Sequence, residues 1–163
     1  MKKRAFNFAA GPATLPFEVL EASAAALLDF QGKGFGIAEC SHRGKEFDAV
    51  LDETIARCRG LLQIPDTHDV LFLQGGATQQ FALIPMNFLN GVAEYVITGE
   101  WSKKAADTAK GIAPDKVRVV ASSESTGFDR HPAGWSADPN AAYLHICSNE
   151  TVHGNRFVDW PKH

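Results

Sequence analysis

Three cysteines in 163 residues, Cys40, Cys58 and Cys147, are too few and too widely spaced for a disulfide framework. They match no zinc-ligand spacing, so no metal site is expected. Reduced thiols serving as small buried hydrophobes are expected instead, in a cytoplasmic protein. A clustered basic face is missing too. Lys and Arg number 16 against 19 Asp and Glu, a net charge of −3 with a pI near 6.0, which argues against a nucleic-acid partner. No apolar run approaches the roughly 20 residues needed to span a bilayer, so no membrane segment is expected. Lys2, Lys3 and Arg4 make a short basic start without the apolar stretch of a secretory signal. Internal repeats and low-complexity tracts are absent as well.

What the chain does contain is enough residues for one ordinary domain with a real core. Its organising stretch is Val70–Phe81, V-L-F-L-Q-G-G-A-T-Q-Q-F. Val70–Leu73 reads as a short buried strand, Gly75 and Gly76 as the turn, and Thr78 to about Leu89 as a helix. The first N–H groups of a helix have no partner inside it, and the helix dipole adds partial positive charge there. Glycines let a ligand come close to the backbone, and the Thr78 hydroxyl adds a donor. A phosphate fits such a place. A tight strand-to-helix turn in any α/β protein reads the same way. No lysine follows the glycines and the spacing is not G-x-G-x-x-G, so neither a Walker loop nor a dinucleotide fingerprint is present.

Before this stretch, Arg4–Thr14 reads as an extended arm in which Phe6 and Phe8 bury one face of a short strand. Pro16 sits where a first-turn proline belongs, and Phe17–Phe30 carries an apolar stripe of Val19, Leu20, Ala24, Leu27 and Leu28. Gly32, Gly34 and Gly36 break the pattern into a loop. Ser41, His42, Arg43 and Gly44 form a turn ahead of a second helix, Lys45–Leu62. After Val70 the chain alternates. Strands are predicted at Ala93–Thr98, Val117–Ala121 and Ala142–Cys147, with a helix at Trp101–Gly111. Pro85 should kink the helix that holds it. The β-α-β order predicts an α/β fold with three α/β/α layers and a mainly parallel central sheet. Ligands of such sheets sit at the carboxyl ends of the strands. Polar or aromatic groups cluster there at Gly75–Thr78, Gly99–Trp101 and Asn149–Thr151.

Five segments together resemble the N-terminal part of the phosphoserine aminotransferases, fold-type-I enzymes that use pyridoxal 5′-phosphate. They are F-N-F-A-A-G-P-A-T-L-P at Phe6–Pro16, S-H-R-G-K-E-F at Ser41–Phe47, L-F-L-Q-G-G-A-T-Q-Q-F at Leu71–Phe81, Y-V-I-T-G-E-W at Tyr95–Trp101 and S-N-E-T-V-H-G at Ser148–Gly154. They keep the family's order and approximate spacing over nearly the whole chain. The resemblance implies that Ala77 and Thr78 hold the cofactor phosphate, that Trp101 lies against the pyridine ring and that Thr151 contacts the cofactor through its hydroxyl. It implies that Arg43 binds a substrate carboxylate with its planar guanidinium fork, with His42 as a second donor. Some members carry Gly-Arg at the Ala77–Thr78 pair and serine at Ala10, so phosphate electrostatics and one hydroxyl contact are expected to be weaker here.

The implied reaction moves an amino group between glutamate and phosphohydroxypyruvate, a phosphorylated keto acid, in serine and pyridoxine biosynthesis. The implied assembly is a homodimer when full length. Residues 1–15 correspond to the arm and 16–163 to the first part of the cofactor-binding large domain, which is incomplete here. Family chains are longer, and their Schiff-base lysine, pyridinium-pairing aspartate and small domain lie downstream. Lys162 and Asp159 fall in no matching motif, so no catalytic residue is assigned within the chain, and the chain alone is expected to be inactive. Two other readings stay open at this level: a non-catalytic piece with a phosphate half-site, and another fold-type-I aminotransferase, such as a relative of the alanine–glyoxylate enzymes. A sheet lacking its remaining strands is expected to leave an unpaired edge and to aggregate.

Overall fold

The structure, a computed structural model, describes residues 4–161; Lys2, Lys3 and Lys162 lie outside them. The chain divides into two compact units, Met1–Phe72 and Leu73–His163.

The first unit holds the arm and two helices, α1 (Phe17–Leu28) and α2 (Lys45–Leu62). Pro16 stands at the N-cap of α1, one residue before its first turn. The chain then turns back through residues 31–36, where Phe30 N–H donates to Phe35 O at 2.8 Å. Lys33 pairs with Glu46 at 3.3 Å across this turn. The predicted helices are present, but their apolar stripes are not buried: Leu27 is 57% exposed and Leu28 83%. The arm departs further from expectation. Phe6 and Phe8 form no strand; they are exposed and stack on each other, ring centroids 6.3 Å apart. Alternation buries a face only where another surface meets it, and among the described residues none does.

The second unit is an α/β fold with a parallel sheet. Its order is α3 (Gly76–Phe88), β1 (Ala93–Ile97), α4 (Glu100–Ile112), β2 (Val117–Ser122), β3 (Tyr143–His145) and a hairpin of β4 (Asn149–Glu150) and β5 (Asn155–Arg156). The sheet order is β2-β1-β3, with both pairs parallel. β1 is central and fully buried, as a strand covered on both faces must be. Its apolar side chains Ala93, Tyr95 and Ile97 pack on Ala105, Ala106 and Ala109 of α4, with Phe81 and Leu89 against them. Alanine at those three helical positions brings α4 close to the sheet. Each fully buried side chain the size of Val96 or Ile97 contributes about 1.5–3 kcal/mol.

Val70–Leu73 is not a strand here. Leu71, Phe72 and Leu73 are 57–71% exposed, and no strand among the described residues supplies a ladder for them. A lone strand cannot satisfy its own N–H and C=O groups, so an apolar run of the right length remains an extended connection. The helix it enters continues through Pro85, which is buried and whose carbonyl accepts the Leu89 N–H at 3.1 Å.

On its other face, β1 presents Glu94, 1% exposed. Arg118 of β2 donates to Glu94 Oε1, and Asp138 N–H donates to Glu94 Oε2 at 2.8 Å. Arg118 also reaches Asp138 at 3.0 Å, so one guanidinium ties the sheet to the 134–142 connection. The Asn140 N–H, and after it Arg118, hold the Asp138 carboxyl below its ordinary range.

His145 ends β3 within an aromatic cluster. Its ring stacks on Tyr95 at 5.0 Å, meets the edge of Phe81 at 6.4 Å, and leaves Nδ1 buried without a hydrogen-bond partner among the described residues. The Tyr95 and Tyr143 hydroxyls pair at 2.7 Å beside it. Burial holds His145 below its ordinary pKa, with the Glu150 charge opposing more weakly. The unfolded chain therefore takes up a proton that the folded state resists. Stability is complete above about pH 6.5 and is lost as pH falls through that value toward the lowered folded pKa. His145→Phe keeps the aromatic contacts and removes the proton. Thermal melts at pH 7.5 and 5.5 should show a smaller acid-side loss for the variant than for the wild type; an equal loss would contradict this.

Candidate functional site

Two helix starts in the second unit have opposite hydrogen-bonding states. At α3, Gly75 and Gly76 take φ of +87° and +56°, a left-handed turn that side chains resist. The Gln79 N–H returns to Gly75 O at 3.2 Å, the first helical bond. The N–H groups of Gly76, Ala77 and Thr78 make no well-formed hydrogen bond to the protein among the described residues, and neither does the Thr78 hydroxyl. Ala77 and Thr78 are exposed. Three open amides, a hydroxyl and the positive end of a 13-residue helix form a donor set for an anion of phosphate size.

At α4 the corresponding donors are taken. Ser102 Oγ accepts the Thr98 and Gly99 N–H groups at 2.8 and 3.1 Å. Glu150, fully buried, accepts the Trp101 N–H on Oε2 and the Ser102 N–H on Oε1, both at 2.9 Å. His153 Nδ1 accepts the Glu100 N–H at 3.4 Å. An acidic group at a helix N-terminus is favoured by the dipole and by the donors it satisfies. No ligand anion is needed at α4, so the phosphate reading rests on α3.

The two remaining strand-end segments of the sequence reading do converge. The Trp101 indole N–H donates to Thr151 Oγ1 at 2.8 Å. Trp101 is half-buried in the first turn of α4 and Thr151 exposed at the hairpin tip. Lys104 Nζ stands 6.0 Å from the indole centroid, at the outer limit of a cation–π contact. The hairpin is fastened below its tip: Asn155 Nδ2 donates to both Thr98 O and Phe128 O at 2.8 Å. The His153 ring meets the edge of Phe128 at 4.6 Å.

Glu150 escaped the sequence reading although it lies between two residues of a motif that was singled out. Nothing in one sequence pairs position 150 with amides some fifty residues earlier. A trace of the pairing exists at Gly99. Its φ of 172° is ordinary extended backbone, so glycine is not needed for conformation. It is needed for space: a Cβ there would lie 2.6 Å from Glu150 Cδ.

Arg43 and His42 belong to the first unit, in the turn expected from sequence. Ser41 builds that turn, its Oγ accepting Arg43 N–H at 3.2 Å and its carbonyl accepting Gly44 N–H at 2.9 Å. Both side chains are exposed, and no salt bridge engages Arg43 among the described residues. Ala10 is exposed in the arm. The three cysteines are free, but each is partly rather than fully buried. Burial still pushes the Cys147 thiol up to about 11.

The second unit is thus a parallel α/β unit with a glycine turn opening one helix and a tryptophan in the first turn of the next. The chain belongs to the class-V aminotransferases, whose family model matches residues 5–161. Among its curated relatives, the phosphoserine aminotransferase of Aromatoleum aromaticum is 53% identical over 157 residues, which covers 93% of this chain and 43% of that protein. That of Nitrosomonas europaea is 51% identical over 159 residues, 95% of this chain and 43% of the relative. Among solved structures, the phosphoserine aminotransferase of Bacillus circulans subspecies alkalophilus superposes with a TM-score of 0.88 at 48% identity, over 97% of this chain and 44% of that one. A pyridoxal-phosphate-bound phosphoserine aminotransferase from Trichomonas vaginalis gives 0.89 at 40% identity, over 98% of this chain and 48% of that one. The chain spans under half the length of these relatives. The resemblance read from the five motifs is borne out.

Proposed function

We propose that this chain forms the first part of a pyridoxal-5′-phosphate-dependent phosphoserine aminotransferase, with residues 1–15 as an arm and 16–163 within the cofactor-binding domain. The observation that carries the cofactor assignment is the contrast between the open amides of α3 and the occupied amides of α4. When bound, the cofactor supplies the electron sink for amino transfer. The chain's own groups bind and orient. The Ala77 and Thr78 N–H groups and the Thr78 hydroxyl donate to the phosphate. No cation assists within this loop, so the hydrogen bonds carry the affinity. The Trp101 ring offers a flat apolar face, held in rotation by its bond to Thr151. Thr151 keeps its hydroxyl at the same place.

Arg43 binds the carboxylate of glutamate or of the phosphorylated keto acid, with His42 as a second donor. No group described here is assigned to move the substrate α-proton. In this reading that work, and the covalent anchoring of the cofactor, fall to the part of the relatives that this chain does not cover. Asp159 and Lys162 have no such role. The working form is a cytoplasmic homodimer, a reading supported by the three free cysteines and by the exposed stripe of α1, which suits cover by another surface. None of the described helices is long and apolar enough to cross a membrane.

The test is amino transfer by the complete enzyme from glutamate to phosphohydroxypyruvate, with pyridoxal 5′-phosphate titrated by absorbance. Transfer should need the cofactor and fall sharply with a keto acid lacking the phosphate. Indifference to that phosphate would favour another aminotransferase of the fold. Arg43→Lys, which loses the bidentate fork, should raise the KM for glutamate by about tenfold with cofactor affinity unchanged. An unaltered KM would remove Arg43 from the substrate site.

A further inference from the structure

Glu150 is the group in this molecule with the most unexplained chemistry. It is a fully buried carboxylate with no cation bonded to it among the described residues. Its two oxygens are spent on two adjacent amides of α4, at 2.9 Å each. One of those amides belongs to Trp101, and the residue after Glu150 is Thr151. A single carboxylate therefore grips the backbone of both partners of the Trp101–Thr151 bond, one through hydrogen bonding and the other through the chain. Gly99 leaves the space that lets the carboxylate approach. Ordinary capping does not require this arrangement. A cap serine beside the helix would satisfy such amides without burying a charge, as Ser102 does for the Thr98 and Gly99 amides.

We propose that Glu150 is the positioning residue of the cofactor site: its carboxylate fixes the separation and orientation of the Trp101 ring and the Thr151 hydroxyl, so that both meet the cofactor without rearrangement. This rests on the cofactor assignment made above. The physical advantage is preorganisation. An indole and a threonine from segments some fifty residues apart must otherwise be ordered at the moment of binding, at a cost in affinity. Two charge-assisted hydrogen bonds from a buried group hold them beforehand. His153, which accepts the preceding amide from the same hairpin, adds a third fastening on the exposed side.

The test uses the complete enzyme with Glu150→Ala and Glu150→Gln, and Glu94→Gln as a control. Glu94 is an equally buried carboxylate of the second unit, on β1 of the parallel sheet, bonded to Arg118 and Asp138 and not to α4. Two quantities are measured: hydrogen exchange of the Trp101 and Ser102 amides without cofactor, and the Kd for pyridoxal 5′-phosphate by quenching of tryptophan fluorescence. Glu150→Ala should speed exchange at both amides by at least tenfold and raise the Kd by at least tenfold. Glu150→Gln, which keeps one acceptor and turns an NH2 toward the other amide, should raise the Kd several-fold. It also carries the test should the alanine variant fail to fold. Glu94→Gln should lower the melting temperature while leaving the Kd within twofold of wild type.

Faster exchange with an unchanged Kd would reduce Glu150 to a helix cap and overturn the proposal. A Kd that rises as much in Glu94→Gln as in the Glu150 variants would also overturn it, by tracing the effect to general stability. A wild-type enzyme that does not bind pyridoxal 5′-phosphate would fail at the cofactor assignment, before any variant is compared.

Discussion

Trp101→Ala in the complete enzyme should raise the Kd for pyridoxal 5′-phosphate by about 10- to 100-fold. Stacking of a flat heteroaromatic ring on an aromatic side chain is worth about 1–3 kcal/mol by alanine substitution, and every 1.4 kcal/mol is tenfold. The indole also anchors the Thr151 hydroxyl at 2.8 Å, so its removal frees a second group. Trp101→Phe separates the two contributions. It keeps a flat, smaller face and loses the Nε1–H donor, so its loss should be a fraction of the alanine loss; Thr151→Val, which removes both the indole's acceptor and a hydroxyl from the cofactor, should also weaken binding. Spectroscopic titration checks all three. An alanine variant that binds the cofactor as tightly as wild type would remove Trp101 from the site.

Gly99→Val should be the most destabilising single change in the second unit, by about 3 kcal/mol, at the upper end of what overpacking costs. Its Cβ would lie 2.6 Å from Glu150 Cδ and 2.7 Å from Cγ and Oε2. Both residues are buried, so neither can retreat into solvent. The displaced carboxylate would also surrender its bonds to the Trp101 and Ser102 amides. The backbone itself tolerates valine, so the loss measures crowding against Glu150. Gly99→Val combined with Glu150→Ala should therefore lose much less than the sum of the single losses. Denaturant unfolding of the complete enzyme reads each value; strict additivity would show that Gly99 and Glu150 do not share a contact.

Local signals carried much of this fold. The second helix starts at Lys45 and ends at Leu62, as its turn, stripe and following proline indicate, because caps and breakers act within a few residues. The strands at Ala93 and Val117 were legible as β-branched apolar runs with a helical stretch between them, and that alternation forces a parallel pair. The failures share one cause. Val70–Leu73 has a strand's composition and Phe6 and Phe8 have its alternation, but a strand exists only with a partner, and composition does not supply one. The stripe of α1 was likewise visible and its cover was not.

In the candidate site, the glycine turn and the Asn-Glu-Thr segment stood out as short motifs at strand ends. Which of their atoms meet did not. The reach from Glu150 to the α4 amides is a tertiary fact, set by the order β2-β1-β3 and by the hairpin after β3. Gly99 is its one local trace, a glycine required for space and not for conformation.

The reading of the open α3 amides is tested most directly by a crystal structure of the complete enzyme with pyridoxal 5′-phosphate. The phosphate oxygens are expected within about 3 Å of the Ala77 and Thr78 N–H nitrogens and the Thr78 hydroxyl, with the pyridine ring against Trp101. A phosphate bound away from the start of α3, or a ring that does not face Trp101, would contradict it.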